Sequence, residues 1–224
     1  VMMGGLLLRV GGALCMSRRR ASVLDYVEGM ASGLDLRFVD SRAVLETAMS
    51  GATSADPESE ELESLLAESA AYMASRHPDY SRLAARVELS RLRRRNPTSF
   101  SETMLCFDQL DSEFARALRE DRTFAEKVNA AALDESFEEG LDYFGFKTLE
   151  RSYLLKRDDD DVVYERPAQL LLRVSLGIHR GWESQEQFDL SIETFKLMSQ
   201  RCFIHASPTL FHSGMKKNHL ASCF

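Results

Sequence analysis

Cysteine is scarce, and its spacing forms no framework. Cys15, Cys106, Cys202 and Cys223 show no CxxC pair and no metal-ligand pattern with the five histidines. This excludes a zinc ribbon or a disulfide scaffold and fits the reduced thiols of an intracellular protein, in which a single thiol is free for chemistry. No run is apolar and long enough to cross a membrane. An excess of positive charge is also missing. Against 35 Asp and Glu stand 28 Lys and Arg, a net charge of −7, which argues against a general nucleic-acid binder. A small nucleotide remains a possible ligand, because it needs only a local group of cations and backbone donors.

What is present is a 224-residue chain that is 44% apolar, enough for one large domain or two small ones with packed cores. Its N-terminus, VMMGGLLLRVGGALCMSRRR, has no acid before Asp25. Transit peptides share that arginine-rich, acid-poor composition. A secretory signal does not, since here Arg18-Arg19-Arg20 follows the apolar run instead of preceding it.

Helical periodicity dominates the rest. Ser22 to Met30 carries Val23, Leu24 and Val27 on one face, and Gly33 is its stop. Asp40 is an N-cap for a helix from Ser41 to Met49 with Ala43, Val44, Leu45 and Ala48 as its stripe. Residues 50–59 read as a loop. Leu62, Leu65, Leu66, Ser69, Ala70 and Met73 then recur at helical spacing, and HPDY (His77 to Tyr80) interrupts them. A further helix carries Leu83, Ala84, Val87, Leu89 and Leu92 and ends in Arg93-Arg94-Arg95, cations that suit a helix C-terminus.

Asn96-Pro97 marks a break. Ser99 or Ser101 caps the next helix, and short amphipathic pieces continue to Phe137. Within DYFGFKTLERSYLL (Asp142 to Leu155), aromatic residues surround Gly145, where a close backbone turn is expected. A helix from Lys147 follows, with Lys147 and Glu150 in a salt bridge or cap contact. Asp158 to Asp161 lacks the ligand alternation and glycine of a calcium loop and reads as a solvated hairpin tip. Pro167 opens a helix within ERPAQLLLRVSLGIH, where its missing N–H costs nothing. His179 reads as a cap or surface group at its end. Gln185 to Gln200 is the last long helix. Cys106 and Cys202 lie in apolar helical patterns and read as small core residues.

The final stretch, FIHASPTLFHSGMKKNHLASCF (Phe203 to Phe224), reads as a short extended segment, a turn at Ser213-Gly214 and a buried strand ending at Ser222-Cys223. It closely resembles the first active-site segment of class I ribonucleotide reductase large subunits, approximately HASPTLFNAG, a short variable turn and LSSCFL. Upstream blocks resemble the same family in the same order. YFGFKTLERSYLL is nearly unbroken against the family pattern, and ERPAQLLLRVSLGIH resembles ERPQHMLMRVALGIH. SGLDLRFVD (Ser32 to Asp40) and LLAESAAYMASRHPDYSRLAARVELSRL (Leu65 to Leu92) resemble the ATP-cone, the family's regulatory domain.

The resemblance implies a mainly α fold in three parts: an ATP-cone-like regulatory domain over 1–95, a helical N-terminal domain over 96–202, and at 203–224 the first strands of a catalytic α/β barrel, cut as it begins. It implies the large subunit of ribonucleoside-diphosphate reductase, an oxidoreductase acting on the ribose 2′-hydroxyl, with the fragment alone inactive. Cys223 matches one of two cysteines that deliver reducing equivalents and become a disulfide. Ser207 and Ser222 match substrate contacts. The family's metal and radical, a di-iron tyrosyl centre, belong to the partner small subunit, so no cofactor and no metal ligand are expected in this chain. ATP and dATP are the expected effectors. The cone departs from the family at its start, where a strand resembling VIKRDGR is replaced by VMMGGLLLRVGGALCMSRRRAS. Arg18, Arg19 and Arg20 then stand in for the lost cations, Thr53 or Ser54 for the loop threonine, and Glu63 for the acidic position beyond it. Expected partners are the small subunit, a ribonucleoside diphosphate, thioredoxin or glutaredoxin, and further large subunits, with no nucleic acid and no membrane, in the cytoplasm. The alternative is a non-catalytic nucleotide-sensing or scaffolding module that docks on a complete large subunit.

Overall fold

The computed structural model describes residues 21–53, 59–96, 99–157, 162–182 and 184–221. Among these the fold is mainly helical. There is no extended strand, only isolated antiparallel bridges at Leu110–Met215 and Lys156–Val163. The described residues fall into two compact units, one running to Arg91 and including Asp142–Phe144, the other formed by Leu92–Leu141 and the residues from Gly145 onward.

The first unit is built from α1 (residues 21–30), α2 (Ser41–Gly51), α3 (Glu60–Tyr72) and most of α4 (Asp79–Arg95). Local signals set its boundaries. Gly33 takes the left-handed φ of 77° after α1, a conformation open to glycine without a Cβ penalty. The Asp40 carboxylate accepts from the backbone N–H groups of Arg42 and Ala43 and so caps α2, and Ser59 caps α3 through the N–H of Leu62. These caps satisfy donors that no intrahelical carbonyl can reach. Val23, Val27, Val44, Leu62, Leu66, Leu83 and Val87 pack into one core. The HPDY segment then ties the helices together with polar groups. The Tyr80 hydroxyl accepts from Asp40 N (2.9 Å), and Asp79 accepts from Asp35 N (2.9 Å). Arg86 donates to the carbonyls of Met30 and Ser32 at the end of α1.

The second unit comprises α5 (Phe100–Leu105), α6 (Ser112–Glu120), α7 (Arg122–Ala131), α8 (Ser136–Glu139), most of α9 (Tyr143–Ser152), α10 (Pro167–Ile178), α11 (Gln185–Ser199) and α12 (Ser207–His212), together with the end of α4. Ser99 is the cap of α5, accepting from Glu102 N. At the centre lies α10, buried along its whole length from Pro167 to Gly177. A helix that is apolar on nearly every side has to be interior, and α8, α11 and α12 pack against it. An aromatic group of Phe114, Phe124, Trp182 and Phe188 lies beside it, and the Trp182 indole donates to the carbonyl of Leu176 (2.8 Å).

Four expectations are corrected. Residues 207–211 are not extended: Ser207–His212 is a short helix with Pro208 in its first turn, and Ala206 before it keeps extended dihedrals. Proline presets the helical φ there, and the packing of α12 against α10 outweighs the β preference of the threonine and aromatic residues. Residues 220 and 221 are not in a strand, and 222–224 lie outside the described residues. Gly145 is not a turn but lies within α9. Cys106 and Cys202 are both exposed. Each sits just past a helix end, where neighbours such as Met104, Phe107 and Met198 take the buried face. The flanks of the Asp158–Asp161 run meet at the Lys156–Val163 bridge, while the run itself lies outside the described residues.

Leu66→Ala in the first core should destabilise the protein by roughly 2–5 kcal/mol, the usual range for emptying a buried leucine site. Leu36→Ala, at a side chain 66% exposed, should change stability by less than about 0.5 kcal/mol. Chemical denaturation followed by circular dichroism measures both.

Candidate functional site

The segment that carries the predicted site is held by one buried charge. Arg173, in the middle of LLLRVSL on α10, is wholly inaccessible, and so is Glu165 just before that helix. Arg173 Nε donates to Glu165 Oε1 (2.6 Å) and Nη2 to Oε2 (3.2 Å), a two-point pairing. Its remaining N–H groups reach forward in the chain to the site segment. Nη1 donates to the carbonyl of Ser213 (2.7 Å) and Nη2 to that of Leu210 (3.1 Å). Glu165 Oε2 also accepts from Leu155 N (3.0 Å), which draws in the end of the α9 region.

Two further contacts seat the segment. Ser213 Oγ donates to the carbonyl of Val174 (2.8 Å). Gly177 meets the backbone of Gly214 so closely that a Cβ on Gly177 would overlap the Gly214 nitrogen. Gly214 itself has φ 79°, so both positions require glycine, one for space and one for conformation. The following residues pair with the α5–α6 connection, Asp111 N donating to Gly214 O (3.0 Å) and Lys216 N to Gln109 O (2.9 Å).

Entry to the segment is set at the end of α11. Arg201 adopts φ 60°. Its N–H donates to the carbonyl of Met198, and that of Cys202 to Leu197, the paired bonds of a Schellman ending with arginine in the place usually held by glycine. The chain then runs through residues 203–206 to α12.

Ser207 is the first residue of α12. Its Oγ lies 3.0 Å from the Tyr153 hydroxyl, and the Tyr153 ring stacks on Phe211 at 4.9 Å. Thr209 donates to the carbonyl of Leu220 (3.1 Å), bringing the chain that leads to residue 222 back over α12. Ser207 is therefore on a supported element with a polar partner. Ser222 and Cys223 lie outside the described residues. His179 forms the C-cap of α10, with Nε2 2.8 Å from Thr194 Oγ1. Burial pushes the His205 imidazole below its ordinary pKa, and the nearby His179 adds to the effect.

Of the effector residues named from the sequence, Thr53 and Glu63 lie among the described residues. Thr53 Oγ1 donates to Glu61 (2.6 Å) in an exposed setting. Glu63 is fully buried on α3 and accepts from the Tyr26 hydroxyl (2.8 Å). Arg18, Arg19, Arg20 and Ser54 lie outside the described residues. In the second unit, Lys147 and Glu150 form an ion pair (2.8 Å). Sequence reasoning missed Tyr153, Glu165 and Arg173. For Arg173 a signal existed: a cation inside an otherwise apolar buried helix requires an acid partner.

The family model for the all-alpha domain of ribonucleotide reductase matches residues 139–218, a span that includes Tyr153, Glu165, Arg173 and Ser207. Curated ribonucleoside-diphosphate reductase large subunits are similar over far more of the chain. That of Caenorhabditis elegans is 39% identical over 212 residues, 90% of this chain and 26% of the relative. That of Arabidopsis thaliana is 45% identical over 176 residues, 73% and 20%. That of Danio rerio is 39% identical over 216 residues, 90% and 25%. The chain belongs to the ribonucleotide reductase large-subunit family. It spans about a quarter or less of the length of these relatives. No helix among the described residues is long and apolar enough to cross a membrane.

Arg173→Met should strand the Glu165 carboxylate in the interior and destabilise the protein by roughly 3–5 kcal/mol. The double variant Glu165→Leu/Arg173→Met should recover part of that loss; denaturant melts of all three chains decide it. For His205, an NMR pH titration of the imidazole should give a midpoint below the ordinary value of about 6.5. A depressed folded pKa makes the neutral ring the favoured form. The stability it contributes is complete above the unfolded pKa and is lost as pH falls through the lower folded value.

Proposed function

We propose that this chain is part of the large subunit of a ribonucleoside-diphosphate reductase, which makes 2′-deoxyribonucleoside diphosphates as DNA precursors. The observation that carries the reading is the extent of the similarity: 39% identity over 90% of the chain to large subunits so named. The seating of Ser207 supports it from the structure, since a substrate-contacting hydroxyl needs a rigid mount. The activity is that of a whole large subunit, and the fragment alone is inactive.

In the proposed reaction the C2′–O bond of the ribose breaks and a C2′–H bond forms. The oxygen leaves as water. Cys223 and a second thiol supply the two hydrogens and two electrons required, and their sulfurs join in a disulfide. Thiols suit this because they store oxidation as a reversible bond that a thioredoxin or glutaredoxin can reopen by exchange. A thiyl radical on another cysteine of the subunit starts the reaction. A di-iron tyrosyl centre in the separate small subunit would supply that radical. Ser207 and Ser222 contact the ribose or diphosphate, since hydroxyls both donate and accept. Residues 203–224 lead into the catalytic barrel, residues 96–202 form the helical N-terminal domain, and residues 1–95 form a divergent regulatory cone for ATP and dATP. In that cone Arg18, Arg19, Arg20, Thr53, Ser54 and Glu63 are the nucleotide-binding candidates. Large subunits associate with one another, and the enzyme works in the cytoplasm.

The test is diphosphate reduction by the naturally encoded full-length chain with a small subunit and a thioredoxin-type reductant. Wild type should turn over, and Cys223→Ser should lose multiple turnover to the assay background. Equal turnover in both removes Cys223 from the mechanism. A folded wild type that is silent with several small subunits favours the non-catalytic docking module.

A further inference from the structure

We propose that Tyr153 is a positioning residue for substrate binding, acting through Ser207. This rests on the assignment of Ser207 as a substrate contact. The two hydroxyls lie 3.0 Å apart, and they come from elements far apart in sequence, the end of α9 and the start of α12. A serine hydroxyl at a half-buried position rotates freely unless a partner fixes it, because a single Cβ–O bond sets its hydrogen. Tyr153 supplies that partner. The phenol is the stronger acid of the two and the better donor. With the phenol donating to Ser207 Oγ, the serine hydrogen is directed away from Tyr153 and towards an acceptor, such as a ribose or diphosphate oxygen.

The mount for the phenol is itself rigid. Its ring stacks on Phe211 with centroids 4.9 Å apart and planes 18° from parallel. Phe211 belongs to the same short helix as Ser207, so the tyrosine grips α12 at two points one turn apart. Behind it, Glu165 holds the N–H of Leu155 while its partner Arg173 holds the carbonyls of Leu210 and Ser213. One buried ion pair therefore sets the distance between the segment that carries the phenol and the segment that carries the serine. The loss of such a hydrogen bond weakens binding by about 2- to 10-fold.

Full-length Tyr153→Phe, Ser207→Ala and the double variant are compared with wild type, assayed with a small subunit over a range of ribonucleoside diphosphate concentrations. Tyr153→Phe keeps the ring stack, so its thermal melt should stay within a few degrees of wild type. The expected result is a KM raised about 2- to 10-fold in each single variant, with kcat less affected. The double variant should be no worse than Ser207→Ala, because the phenol acts only through the serine. If Ser207→Ala raises KM while Tyr153→Phe matches wild type, or if the two effects multiply, Tyr153 does not position Ser207. If Ser207→Ala leaves KM unchanged, the substrate assignment of Ser207 falls and the role of Tyr153 falls with it.

Discussion

A fully buried guanidinium cannot be left with idle donors, and much of the second unit is arranged around that requirement. Arg173 sits where α10 has no access to water, so every N–H it turns inward has to find an acceptor. Glu165 takes two of these bonds, and the carbonyls of Leu210 and Ser213 take two more. The carbonyl partners are those a helix end leaves over: Leu210 and Ser213 lie in and just after α12, where intrahelical donors run out. The ion pair thus satisfies the end of a helix too short to be stable alone. It converts the residues around Ser207 into a fixed part of the interior.

The two charges bring no certain gain in stability, because desolvation offsets much of their attraction. Their effect is on geometry. An apolar pair of the same volume would fill the space but would accept many arrangements of the 207–215 segment. A planar fork with directional bonds accepts few. The same reasoning applies to Arg93, which reaches Glu135 and Glu138, while the second Glu138 oxygen accepts from Ala168 N at the start of α10. The start and the middle of the central helix are thereby referenced to neighbours by charged hydrogen bonds.

Those parts of the fold that depend on local chemistry were legible in the sequence. Asp40, Ser99 and Pro167 stand at the helix starts expected of them, because a cap acts on the next few residues and needs nothing distant. The stripes of α2, α3 and α4 face their core for a similar reason, since periodicity is a property of the segment alone. Residues 207–211 were misread because α12 packs against α10, whose Arg173 lies more than thirty positions earlier in sequence and outside any local window. Cys106 and Cys202 were misread because a helical stripe says little about the residue just beyond its end. Ser207 was named through the HASPTLF resemblance, whereas its contact with Tyr153 could not be, since nothing in a linear reading places a phenol 3.0 Å from that serine.

The meeting of Gly177 and Gly214 has a further consequence. Where two backbones touch directly, their separation is fixed by the van der Waals radii of backbone atoms and not by the bulk of side chains. Exchanges such as leucine for methionine elsewhere on α10 then cannot wedge the two segments apart at that point. The location of Ser207 is insulated from the slow drift of core composition. The exposed residues 216–219 carry no such constraint, so a change of side chain there leaves the Gly177–Gly214 contact, and the helix before it, in place.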